Sequence, residues 1–142
     1  MNIIEPKKSQ ITLFCHRNNV SLFIIFGSHA KGATHLRSDI DIALAVEDQN
    51  AEVDKLQLIY ELDDIFDRQL DLVILTSSTD PLLQFEIFSA GILVFESRPF
   101  LFEEKKLLAW KLYLDTQKIR EMRNQRFKKY IRKLENDYRR VQ

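Results

Sequence analysis

Residues 20–26, Val-Ser-Leu-Phe-Ile-Ile-Phe, make a run of apolar, mostly β-branched or aromatic side chains broken by a single serine. The run carries no charge and stops at Gly27-Ser28, so it reads as a buried strand. It is far too short to cross a bilayer. A strand of this kind belongs inside a sheet with other elements packed on it.

The flanking sequence supplies those elements. Ser9 to Asn19 predicts a short amphipathic helix with Ile11, Phe14 and Cys15 on one side. Asp39 to Val46, Leu70 to Leu75 and Ile92 to Phe95 predict three more strands. Between them, Glu52 to Phe66 predicts a helix, with Val53, Leu56, Ile59, Leu62 and Phe66 at helical spacing. Thr76 to Asp80 reads as a polar loop. Pro81 can open another helix, which runs to about Ala90 and stops at Gly91. Strands alternating with helices predict an α/β (α+β) fold, a small sheet flanked by helices. Periodicity leaves open whether the sheet is parallel or mixed. There is no internal repeat and no low-complexity segment.

The chain has 142 residues, the size of one domain with a real core. Its 21 basic and 21 acidic residues cancel, which gives no general reason to expect nucleic-acid or membrane binding. The charge is unevenly placed, however. Residues 1–100 hold 8 basic and 15 acidic residues, whereas residues 101–142 hold 13 basic and 6 acidic. Arg98-Pro99 closes the acidic body, and from Phe100 onward there is no glycine or proline, so the tail reads as predominantly helical. This predicts two parts, a body over residues 1–100 and a basic amphipathic tail over residues 101–142. Phe127, Ile131, Leu134 and Tyr138 follow one another at spacings of four, three and four. That stripe packs on its own body or docks on a partner. A continuous tail helix would be roughly 60 Å long and outreach the body, which favours the partner. Cys15 is the only cysteine, so no intramolecular disulfide can form, and a reducing compartment is expected. The N-terminal residues do not read as a signal peptide, and a cytoplasmic protein is expected.

The chemistry concentrates in residues 26–42, which run from Phe26-Gly27-Ser28-His29 to Ser38-Asp39-Ile40-Asp41-Ile42. Asp39 and Asp41 are two apart in a predicted strand and so share a face, with Cα atoms roughly 6–7 Å apart. Carboxylates that close repel unless a cation neutralises them. Mg²⁺ commonly takes one or two carboxylates together with phosphate oxygens. Gly27 lets the backbone approach a ligand closely, and the Ser28 hydroxyl with nearby N–H groups can hold phosphate. Asp71 interrupts the apolar run Leu70-Asp71-Leu72-Val73-Ile74-Leu75, where an unpaired charge is costly. It reads as a third site carboxylate or as the partner of an arginine at a strand edge.

Gly-Ser, ten intervening residues and Asp-x-Asp, with a later strand carrying another Asp, resembles the signature of the DNA polymerase β-like nucleotidyltransferases. The form GSHAKG…SDIDIAL is similar to the minimal branch of that family, and within it to the MntA-like antitoxins paired with HEPN-domain ribonuclease toxins. The motif likeness spans residues 20–75. The family often has Arg where this chain has Lys31, which keeps the charge without a bidentate phosphate grip.

The resemblance implies ATP as substrate and two Mg²⁺ ions, with in-line displacement of pyrophosphate. It implies Asp39 and Asp41 as ligands of both ions. Asp71 would be a third ligand that lowers the acceptor hydroxyl's pKa or takes its proton. Gly27, Ser28, Lys31, Arg37 and Ser38 become the nucleotide-binding set. The implied activity is AMPylation of a tyrosine on a cognate HEPN toxin, within a hetero-oligomer. Adenylylation of a small molecule, as in aminoglycoside nucleotidyltransferases, and antitoxin action by sequestration alone are the alternatives.

Other polar residues read differently. Lys31 and Arg37 serve equally well as solvated loop charges. His29 and His35 have no ligand spacing to Cys15 or His16 and read as solvent-facing or hydrogen-bonding. Asp63, Asp64 and Asp67 lack the glycine of a calcium loop and fall on an exposed helix face.

Overall fold

The computed structural model describes residues 4–27, 30, 39–48 and 50–141. A 3-10 turn (Glu5–Lys7) leads into α1 (Lys8–Arg17), β1 (Val20–Phe26), β2 (Ile40–Val46), α2 (Lys55–Phe66) and β3 (Leu70–Ile74). There follow α3 (Pro81–Ala90), β4 (Ile92–Glu96), α4 (Leu101–Asp115) and α5 (Gln117–Val141). Among the described residues, no helix is long and apolar enough to cross a membrane.

The sheet has the order β3-β2-β1-β4. β1 runs antiparallel to both β2 and β4, and β3 runs parallel to β2. The sheet is therefore mixed, and the parallel pair is joined through α2, as a crossover requires.

Alternation along the strands feeds two cores. Phe23, Ile25, Ile40, Ile42, Leu44 and Leu72 face α1 and α2, where Ile11, Phe14, Cys15, Leu58, Leu62 and Phe66 meet them. Leu22, Ile24 and Ala43 face the other way, against Ile87 and Phe88 of α3 and Leu101, Phe102 and Ala109 of α4. The result is three layers, helices on both faces of one sheet.

One local difference from the sequence pattern has a plain cause. α2 starts at Lys55, because the Asp54 carboxylate accepts from the Gln57 N–H at 3.2 Å and caps the helix there. Its buried face is Leu58, Leu62 and Phe66, at spacings of four, whereas Leu56 is 78% exposed. α3 opens as expected, with Pro81 in its first turn and the Asp80 carboxylate accepting from Leu82 N–H at 2.8 Å.

The tail is helical, but it is not one helix. α4 is tied to the body at its start, where the Glu96 carboxylate accepts from the N–H groups of Phe100 and Phe102. It gives Leu101, Phe102 and Ala109 to the second core. Thr116 then breaks the line. Its Oγ1 donates to the Leu112 carbonyl at 2.7 Å and accepts from Arg120 Nη1 at 2.5 Å. The Arg120 guanidinium also donates to the Tyr113 carbonyl at 2.6 Å and lies 4.1 Å over the Tyr113 ring, which stacks on Phe85. α5 beyond this joint buries no residue.

Cys15 sits in the first core, and burial pushes its thiol up from the ordinary 9.0 to about 12. Between those values the unfolded thiol ionises and the folded one keeps its proton, so stability present below pH 9 declines as pH rises. The wild type should lose roughly 1–2 kcal/mol from this linkage by pH 10, and Cys15→Ala should not. Urea denaturation of both proteins from pH 7 to pH 10 measures the difference, and parallel pH profiles would remove the linkage.

Candidate active site

The pairing registers decide which polar residues meet. Antiparallel pairing sets Phe26 of β1 opposite Asp41 of β2, which brings Gly27 beside that aspartate. Parallel pairing sets Asp41 opposite Asp71 of β3. Neighbouring strands lie about 4.8 Å apart, so two acidic residues stand side by side at the start of the parallel pair. Both alternate with residues of the first core: Ile40 and Ile42 flank Asp41, and Leu70 and Leu72 flank Asp71. The carboxylates therefore belong to the opposite face, the one α3 and α4 cover further along. That cover stops short of them. Asp71 is exposed and Asp41 half-buried.

Asp39 lies one residue outside β2 and is exposed. It stands two positions before Asp41, at the same end of the sheet. Among the described residues no three His, Cys, Asp or Glu side chains are already drawn together at metal-ligating spacing. The donor set is of the right chemistry, because carboxylate oxygens on adjacent strands suit a hard divalent ion.

Gly27 has φ +73°, in the left-handed region where glycine is free of strain. A Cβ built on it would stand 2.2 Å from Asp41 Oδ2. The sequence pattern suggests that this glycine admits a ligand. In the fold, the room a side chain would take is occupied by the Asp41 carboxylate. Gly27 thus carries two requirements, a turn out of β1 and a close fit against Asp41. A glycine directly after an apolar strand was the available signal for the turn. The fit against Asp41 had none, because it depends on the β1–β2 register.

Ser28, Lys31, Arg37 and Ser38, expected to contact nucleotide, lie outside the described residues, as do His29 and His35. Among the described residues Asp71 forms no ion pair, so the strand-edge arginine considered for it is not found there. His16 is exposed, with its ring edge-on to Phe95 at 5.5 Å. Asp63 and Asp64 lie on the exposed face of α2, and Asp67 closes that helix with φ +51°.

Residues 9–99 match the family model described as polymerase beta, nucleotidyltransferase. The chain is 32% identical over 92 residues to a protein of Methanocaldococcus jannaschii that carries the provisional name protein adenylyltransferase. That match covers 65% of this chain and 97% of the other. It is 35% identical over 71 residues to the protein adenylyltransferase MntA of Shewanella oneidensis, 48% of this chain and 51% of the other. In fold it is similar to a chain of a toxin–antitoxin crystal structure with AMP-PNP, with TM-score 0.68, 24% identity and coverage of 87% and 98%. It is also similar to a chain from the complex of tri-AMPylated Shewanella oneidensis HEPN toxin with MNT antitoxin, with TM-score 0.64, 21% identity and coverage of 89% and 98%. At these identities the two structures speak for the fold.

Gly27→Ala should cost about 1–3 kcal/mol through its left-handed backbone and should also push the Asp41 carboxylate aside. Adding Asp41→Ala removes the clash but not the backbone strain. The double variant should therefore be more stable than the sum of the two single losses predicts, by at least about 0.5 kcal/mol. Urea titrations of the four proteins give this coupling, and additive losses would mean that the two residues do not meet.

Proposed function

The chain belongs to the polymerase β nucleotidyltransferase family, and from that premise we propose that it is an antitoxin protein adenylyltransferase: it moves AMP from ATP onto a tyrosine hydroxyl of a cognate HEPN ribonuclease toxin and so silences it. The observation that carries the reading is the register Asp41↔Asp71 beside Gly27, on a part of the sheet face that none of the described helices covers. Relatives named protein adenylyltransferase, one of them matched along 97% of its length, support the reaction type. Likeness in fold to chains from toxin–antitoxin complexes supports the partner.

In the reaction the tyrosine oxygen attacks the α-phosphorus of ATP. A new P–O bond forms there, the bond between the α-phosphorus and the bridging oxygen breaks, and pyrophosphate leaves. Asp39, Asp41 and Asp71 would hold two Mg²⁺ ions, which when bound activate the attacking oxygen and neutralise charge on the leaving group. Asp71, exposed at the rim, is the group that lowers the pKa of the incoming hydroxyl or takes its proton. The Gly27 backbone and the Ser28 hydroxyl grip the β- and γ-phosphates, with Lys31, Arg37 and Ser38 completing the nucleotide contacts. The described helices leave Asp71 exposed at this rim, which suits an acceptor side chain from another protein. Residues 1–100 carry the chemistry, α4 completes the second core of that body, and the tail beyond α4 serves the partner, in a cytoplasmic hetero-oligomer.

Asp39→Asn and Asp41→Asn should each cut AMP transfer at least about 100-fold while leaving the protein folded. Asp71→Asn should lose transfer to a similar degree yet keep measurable affinity for a non-hydrolysable ATP analogue. Label transfer from ATP and Mg²⁺ to the purified toxin, with calorimetric titration of the analogue, reads both quantities. Wild-type rates in any of the three variants would overturn the assignment of that carboxylate.

A further inference from the structure

We propose that α5 is a preformed docking arm for an apolar groove rimmed by carboxylates on the toxin, and that it governs recognition of that protein without taking part in the transfer. The inference rests on the antitoxin reading above and adds the surface by which the substrate protein is held.

Every described residue of α5 except half-buried Arg120 is exposed, and none is buried. Even so, Phe127, Ile131, Leu134 and Tyr138 line one side of it, with Tyr130 next to them. A solvated helix has no use for such a stripe, so the stripe marks a contact still to be made. The rest of the helix is basic, with ten lysines and arginines against three acidic residues over Gln117–Val141.

Charge decides between the occupants. The body is acidic, with 15 acidic and 8 basic residues over 1–100, yet the opposite sign does not lay α5 down on it. The Arg120 clamp at Thr116 and Tyr113 fixes how the arm leaves α4. A second copy meeting it arm to arm would set two strongly basic helices against each other, at close range and in a drying interface. A nucleic acid would satisfy the charges but leave the five apolar side chains in water. A protein groove with an acidic rim satisfies both. The apolar anchors then supply the affinity, and the charges supply the encounter rate and its salt dependence. A helix already formed and aimed loses less entropy on binding than a disordered tail.

Two full-length variants test the arm. Ile131→Asp/Leu134→Asp breaks the centre of the stripe, and Lys128→Glu/Lys129→Glu/Arg132→Glu reverses the flank. All five positions are exposed, so both proteins should fold, which AMP-PNP affinity within about twofold of wild type would verify. The stripe variant should bind purified toxin at least about 30-fold more weakly. The charge variant should bind it more slowly and lose most of the wild type's salt sensitivity. In transfer assays, KM for the toxin should rise in both variants while kcat stays within about threefold.

Undiminished toxin binding by the stripe variant would overturn the proposal. So would a wild-type dimer that the stripe variant dissolves, or an RNA oligonucleotide that competes with toxin for the wild type. If wild-type protein bound toxin through the arm but never labelled it, the docking surface would stand and adenylyl transfer would fall.

Discussion

No side of β1 faces water. Leu22 and Ile24 enter one core, Phe23 and Ile25 enter the other, and both backbone edges are taken by β2 and β4. Each of these side chains contributes about 1.5–3 kcal/mol when fully buried, but only if both faces of the strand are covered. That condition organises the rest: α1 and α2 cover one face, and α3 and α4 cover the other. Gly91 shows how tight the second cover is. A Cβ there would meet the Ile87 carbonyl at 2.2 Å and Ile24 Cγ2 at 2.6 Å, so the turn from α3 into β4 runs directly against the central strand.

The same constraint leads to the acidic rim. β1 must end in water, and it does so through the left-handed turn at Gly27. Its antiparallel neighbour begins at that end, and so does the strand parallel to that neighbour. The starts of β2 and β3 are therefore the places where a carboxylate can stand on the sheet yet remain solvated. Deeper in, where Ala43 takes its place in the second core, an aspartate would be desolvated at heavy cost. Asp41 and Asp71 occupy the last positions before the cover closes. Their register brings two acidic residues together at that rim.

α4 and α5 follow one another without glycine or proline but meet opposite fates. α4 offers Leu101, Phe102 and Ala109 to a sheet face that needs covering, and its first turn is capped by Glu96. α5 buries no residue against the body. The joint at Thr116 separates the two, with Arg120 bound to Thr116 and to the Tyr113 carbonyl. Asp115-Thr116 was a weak local sign of a break, since both residues form helices poorly and Thr hydroxyls seek nearby backbone groups.

The run at 20–26, the punctuation by Gly27, Pro81 and Gly91, and the buried trio Ile11, Phe14 and Cys15 could all be read from local pattern, because periodicity and turn chemistry act over a few residues. The α/β class followed from them. The spacing of Asp39 and Asp41 was likewise legible, as was the oddity of a charge at Asp71. What no local pattern contained was the order β3-β2-β1-β4, the mixed sense of the sheet, or the buried face of α2, where Leu58 replaced the expected Leu56. Nor could it show that Asp41 stands opposite Asp71 and fills the space beside Gly27. Those are matters of register. A strand's side chains alternate whatever it pairs with, but the residue it faces is chosen by competition among distant segments for the same buried edge, and only the assembled core settles that competition.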